Sequence, residues 1–161
     1  MRSMTPVIGF LRGFALVALV ALVAACSRTP ATGVGNLGPG SAAPGSQQEF
    51  LVTVGDRVFF ETDSSSLTPT AQDTLNKQAA WLNRYTNYRI LIEGHADERG
   101  TREYNLALGA RRAQVVVDYL IAQGVNGQRI QSKSFGKERP VAICNDISCW
   151  SQNRRAVTVV Q

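Results

Sequence analysis

The stretch GHADERGTREYNLALGARRA, residues 94–113, follows an apolar run (Ile90, Leu91, Ile92), passes through an acidic turn and enters a basic helix. A strand feeding a helix through a short polar turn sets the remaining elements around it. Two opposite charges stand out, Asp97 in the turn and Arg112 in the helix. Together they suit a ligand that carries both an amine and a carboxylate. At about 100° per residue, Leu106, Ala110, Ala113, Val117, Leu120 and Ile121 fall on one arc, which is read as the core face. Asn105, Leu108 and Arg112 share a flank beside that arc, at spacings of three and seven. Arg111 points into water. The alternative for Arg112 is an ordinary surface ion pair with Asp97.

Outward from this stretch, 161 residues with 44% hydrophobic and 18% charged composition hold one globular core. The formal charge is +5, and setting aside Arg2 and Arg12 leaves 15 basic against 12 acidic residues, or +3. So small and scattered an excess gives no reason to expect nucleic acid as a partner. Residues 1–25 read as an export signal: Arg2 and Arg12 come before an apolar run, residues 14–25, that is too short to span a bilayer. The run ends Leu22, Val23, Ala24, Ala25, Cys26, which resembles a bacterial lipobox, with Cys26 as the lipidated first residue of the mature chain. A plain secretory signal with an incidental cysteine is the alternative. Residues 26–49 are then the lipidated cysteine and a flexible tether of Gly, Ala, Pro, Ser and Thr.

From residue 50 the pattern is that of a folded domain, 50–161. Residues 50–54 and 57–60 are rich in β-branched and aromatic side chains around a Gly55, Asp56 turn, and 58–60 reads as the first central strand. Thr68 as N-cap and Pro69 at the first helical position open a helix to about residue 84, with Leu75, Ala79 and Leu82 as its apolar stripe and Trp81 beside it as core. A second strand (88–93), a helix (101–123) stopped by Gly124, and a third strand (129–135) follow. A long loop, 136–152, holds the two remaining cysteines before a closing strand, 154–160. This order implies an α/β two-layer sandwich, β-α-β-α-β-(loop)-β, with helices on one face of a four-stranded sheet.

The chemistry that would make an enzyme is not apparent. His95 is the only histidine and lacks companion ligands at metal-site spacing, so a hydrogen-bonded histidine at a strand end is expected. Glu93 and Asp97 read as solvated or salt-bridged carboxylates, and no G-x-S-x-G elbow occurs.

The string IEGHADERGTREYNLALGARRA (92–113), with FFETDSSSL (59–67) upstream and SFGKERP (134–140) and NRRAV (153–157) downstream, resembles the peptidoglycan-associated lipoproteins, whose globular part is an OmpA-like domain. The resemblance implies a mixed four-stranded sheet and non-covalent binding of peptidoglycan through the diaminopimelate of the stem peptide. It also implies work with the Tol proteins (TolB, TolA), a lipid anchor in the outer membrane facing the periplasm, and no cofactor. Carried over by position, Asp97 and Arg112 would grip the zwitterionic end of diaminopimelate, with Asp63, Arg99, Asn105 and Leu108 completing the pocket. In an exported chain Cys144 and Cys149, spaced C-x4-C, are expected to form a loop staple. The competing functional class is a peptidoglycan-modifying or metal-dependent enzyme on the same scaffold.

Overall fold

A computed structural model describes residues 42–161. Its elements are β1 (Arg57–Phe59), α1 (Pro69–Arg84), β2 (Ile90–His95), α2 (Arg102–Ala122), β3 (Ile130–Gly136), α3 (Ile147–Asn153) and β4 (Arg155–Val160). The sheet order is β1-β4-β2-β3. β4 runs antiparallel to both neighbours, pairing Val58 with Ala156 and Ile92 with Thr158, whereas β2 and β3 are parallel. The mixed α/β sheet agrees with the sequence reading. The strand placed centrally does not: β1 lies at the edge, because the C-terminal strand β4 inserts between it and β2.

One core cluster joins Val58, Ile90, Ile92, Ala156 and Val160 of the sheet to Leu75, Ala79 and Leu82 of α1 and Ala113, Val116 and Leu120 of α2. Both long helices therefore cover the same sheet face. Thr68 caps α1 through a bond from Ala71 N, and Thr101 caps α2 through a bond from Tyr104 N, so each helix begins where its side-chain acceptor meets an orphan amide. Inside the interface Gln78, fully buried, donates to Gly55 O and accepts from the Thr158 hydroxyl, which pins α1 to β4.

Residues 50–54, rich in strand formers, are instead a π-helical turn continuing the short helix Gln47–Glu49. Packing overrides propensity there. Phe50 is buried against the Trp81 ring at 4.9 Å. Glu49 accepts from the Trp81 indole at 2.7 Å and from Gly45 N at 2.6 Å, and Tyr88 donates to Gly45 O. The residues from Gly45 to Glu49, assigned to the tether by composition, are thus bound to the domain. The signal, Cys26 and most of the tether lie outside the described residues.

The loop 136–152 contains α3, which was not expected. Asp146 caps it by accepting from Ser148 N, and Cys149 on its first turn is disulfide-bonded to Cys144. A ring this small contributes about 2 kcal/mol by loop entropy. Asn153, at the end of α3, closes the loop by accepting from Val141 N and Ala142 N and donating to Ala142 O.

Candidate functional site

The site lies where β2 ends, and its depth is set by the distance between α2 and the sheet. A Cβ added to Gly94 would sit 1.9 Å from Gly109 O, and one added to Gly109 would sit 2.4 Å from Ser134 Oγ. Two glycines therefore let the helix backbone rest on the strand backbone. One turn further along, that contact drives Arg112 beneath the loop that follows β1.

The helix phase differs from the sequence reading. The buried residues of α2 are Asn105, Leu108, Gly109, Arg112, Ala113, Val116 and Leu120, whereas Leu106 and Ile121 are 44% and 45% exposed. Arg112 is central to the packed face rather than on its flank, and its exposure is 0%. Its guanidinium is a structural hub: Nε donates to Ser64 O at 2.8 Å, Nη1 to His95 O at 2.8 Å and Nη2 to Glu61 O at 3.2 Å. It also lies over the Phe60 ring, 5.2 Å from its centroid. Burial, with the charge of Arg154, pushes its pKa down to about 10, so it stays a cation at neutral pH. Arg111 is exposed, as expected.

Asp97 does not pair with Arg112. Its Oδ1 accepts from Arg99 N and Nε at 3.2 and 3.1 Å, and its Oδ2 accepts from Arg99 Nη2 at 2.7 Å and Arg154 Nη1 at 3.3 Å. Burial alone would raise this carboxyl, but the hydrogen bonds and charge of Arg99, with Arg154 behind, hold it below its ordinary value. It is an anion throughout the neutral range. Asn105 Nδ2 donates to Arg99 O at 2.6 Å and Thr101 O at 3.1 Å, which fastens the turn after β2 to the start of α2. Asp63 sits at φ 55°, a left-handed turn position that Asp tolerates better than most residues, and accepts from the Tyr104 hydroxyl. That bond raises the Tyr104 pKa, with burial and the Asp63 charge adding.

All six residues singled out for a ligand, Asp63, Asp97, Arg99, Asn105, Leu108 and Arg112, line one open pocket of about 290 Å³, together with Thr62, Gly100 and Tyr104. The pocket offers a pinned carboxylate and a pinned guanidinium beside an apolar wall, Leu108. Tyr104 was readable as an aromatic in the first turn of the helix. Arg154, which lies behind the pocket, is remote in sequence and only its place in NRRAV hinted at it.

His95 departs from the expected hydrogen-bonded histidine. It is 1% exposed, stacks on Phe135 at 5.6 Å, and neither ring nitrogen has a hydrogen-bond partner among the described residues; Glu93 Oε2 lies 3.6 Å from Nε2. Burial, then the charges of Arg155 and Arg139, pushes its pKa down to about 4. It is therefore a neutral core ring at neutral pH, and its backbone carbonyl is what serves the site, by holding Arg112.

The OmpA family model matches residues 59–154, a span that holds all six of these residues. The peptidoglycan-associated lipoprotein of Rhizobium meliloti is 62% identical over 150 residues, covering 91% of this chain and 85% of that protein. That of Agrobacterium fabrum is 68% identical over 123 residues, covering 76% of this chain and 70% of that protein. The crystal structure of the peptidoglycan-associated lipoprotein from Burkholderia pseudomallei matches with a TM-score of 0.66 at 42% identity, over 69% of this chain and 96% of that one.

Proposed function

The chain belongs to the OmpA family, among the peptidoglycan-associated lipoproteins, and from that membership we propose that it is a non-catalytic envelope lipoprotein that binds peptidoglycan non-covalently through the diaminopimelate of the stem peptide. The observation that carries this reading is the pocket in which Asp97 and Arg112 stand as opposite, buried, separately anchored charges. Diaminopimelate ends in an ammonium and a carboxylate on one carbon, which is the complement of such a pair.

The geometry supports a role for each residue in that reading. Arg112 spends three of its five N–H groups on main-chain carbonyls. The remaining two meet the ligand carboxylate. Asp97 receives four donor contacts already, and of its two arginine partners Arg99 is the accessible one, its side chain 41% exposed. An ammonium therefore reaches Asp97 by exchanging with Arg99, which stays at the rim. Leu108 supplies the apolar wall, and Asn105 holds the turn that presents Asp97.

Asp97→Asn keeps the shape and removes the charge, so it should weaken co-sedimentation with purified sacculi about ten- to a hundred-fold, the value of one charge-assisted contact of about 1.5 to 3 kcal/mol. Arg111→Ala is the control and should bind as wild type, since a solvated arginine contributes under about 1 kcal/mol. Undiminished sedimentation of Asp97→Asn, or release of soluble muropeptides by the wild type, would sink the binding-module reading.

The membrane side of the proposal rests on the sequence. Cys26 carries the lipid, the residues after it form the tether, and the domain faces the periplasm at the outer membrane, where it works with the Tol proteins in envelope integrity and cell division. Palmitate labelling in cells checks the anchor: wild type should label and Cys26→Ser should not, and equal labelling of the two would refute it.

A further inference from the structure

Opposite charges lining one pocket ordinarily find each other, and a zwitterion clamp whose halves have paired internally must be broken before it can bind. Asp97 and Arg112 are close enough for the Asp97 charge to oppose the lowering of the Arg112 pKa. Yet among the described residues they share no hydrogen bond or ion pair: Asp97 is held by Arg99 and Arg154, and Arg112 by three carbonyls. Of the two arginines on Asp97, Arg99 is at the exposed rim and is the one a ligand displaces. Arg154 is 4% exposed and does not line the pocket, so a ligand seated there does not exchange with it.

Arg154 is also fixed. Its Nε donates to Phe60 O at 3.0 Å, and its own carbonyl accepts from Phe60 N at 2.9 Å. Side chain and main chain both stitch it to the end of β1, so its Nη1 stands at a set place behind Asp97 Oδ2. Its charge repels Arg112 as well, the largest effect on that group after burial.

We propose that Arg154 is the positioning residue of the pocket: it draws the Asp97 carboxylate back from Arg112, so that both charges remain available to one zwitterionic ligand. This rests on the pocket reading above. Without Arg154, once Arg99 has yielded, Arg112 is the buried cation that still lines the pocket with Asp97, and the carboxylate turns to it. The two charges then quench one another, and a ligand has to separate them before it can be held.

The test is a double-mutant cycle on the full-length protein, with the tripeptide L-Ala-D-Glu-meso-diaminopimelate as probe and affinity read by titration calorimetry. Arg154→Gln should weaken binding by about ten-fold or more, and Arg154→Lys, which restores the charge but not the fork that also holds Phe60 O, should recover part of it. In an Asp97→Asn background the same Arg154→Gln change should alter affinity by less than about two-fold, because the residue acts only through that carboxylate. A merely structural arginine would weaken binding to the same extent in both backgrounds, and that result, or wild-type affinity of Arg154→Gln, would overturn the proposal. Arg154→Met keeps the buried stem and replaces Gln in the cycle if the Gln variant does not fold by circular dichroism. Should Asp97→Asn alone bind as tightly as wild type, the pocket reading fails and this proposal fails with it, whereas a weakened Asp97→Asn beside an unaffected Arg154→Gln rejects Arg154 alone.

Discussion

Arg112→Ala should cost the domain about 3 to 5 kcal/mol of folding stability, from unpaired buried acceptors and the void left behind. Three carbonyls, Ser64 O, His95 O and Glu61 O, lose their donor at once. At least His95 O lies in a fully buried bond that water reaches poorly. Each unpaired buried acceptor costs about 1 to 3 kcal/mol, and the void left by the longest fully buried side chain adds to it. Arg112→Lys should recover little, because an ammonium on a flexible stem cannot address three carbonyls spread around a planar fork. Arg111→Ala, one residue away and exposed, should stay within about 0.5 kcal/mol of wild type. Urea unfolding of the three variants decides this, and a loss under about 1 kcal/mol for Arg112→Ala would mean that the guanidinium is not the keystone its hydrogen bonds indicate. Since Arg112→Ala is expected to be destabilised, lost wall binding by that variant is not evidence of a ligand contact. The isosteric Asp97→Asn leaves Arg112 and its carbonyls in place and is the better probe of the site, read beside a circular dichroism check because Arg154 loses its buried anion.

The same helix shows what the sequence made legible and what it did not. Its limits were readable, since Thr101 and Gly124 are local signals that act through hydrogen bonds and φ at the ends of the helix. Its rotation was not. An apolar arc locates the packed face only when packing is done by large apolar side chains, and here the first half of the buried face is Asn105, Leu108, Gly109, Arg112 and Ala113, only one of them a large apolar residue. Leu106 and Ile121, which pulled the arc aside, are exposed. A buried arginine in the middle of a helix face is invisible to hydropathy because its partners are carbonyls on other elements, up to 51 residues away. The six residues nevertheless line one pocket, because the resemblance carried them by position and the wheel, though rotated, kept Asn105, Leu108 and Arg112 on one side of the helix. The segments Phe50–Val54 and Ile147–Asn153 failed for a related reason: one owes its form to the Trp81 cage and the other to the Asp146 cap beside the disulfide. Neither has a period of its own.

What the rotation depends on is the crossing of two glycines, and Gly94→Ala should therefore be among the most damaging single-methyl changes in the domain. The added carbon would lie 1.9 Å from Gly109 O and 2.7 Å from Gly109 C. Both are backbone atoms, so no rotamer change relieves the clash, and α2 has to move away from β2. That movement separates Gly109 from Ser134, whose hydroxyl now donates to Leu106 O at 2.7 Å, and lifts Arg112 off its carbonyls one turn along. Overpacking alone costs about 1 to 3 kcal/mol, and with the coupled loss of polar contacts about 3 kcal/mol or more is expected, a fall of roughly 10 °C in melting temperature for a domain this size. Gly124→Ala is the informative comparison. Its φ of 89° makes any side chain there strained, but an added Cβ would meet nothing closer than Asn83 Nδ2 at 3.6 Å. It should cost about 1 kcal/mol or slightly more, and leave the pocket intact. If differential scanning calorimetry finds Gly94→Ala no worse than Gly124→Ala, helix and strand are not held apart by backbone contact, and the depth at which Arg112 sits must be set by something else.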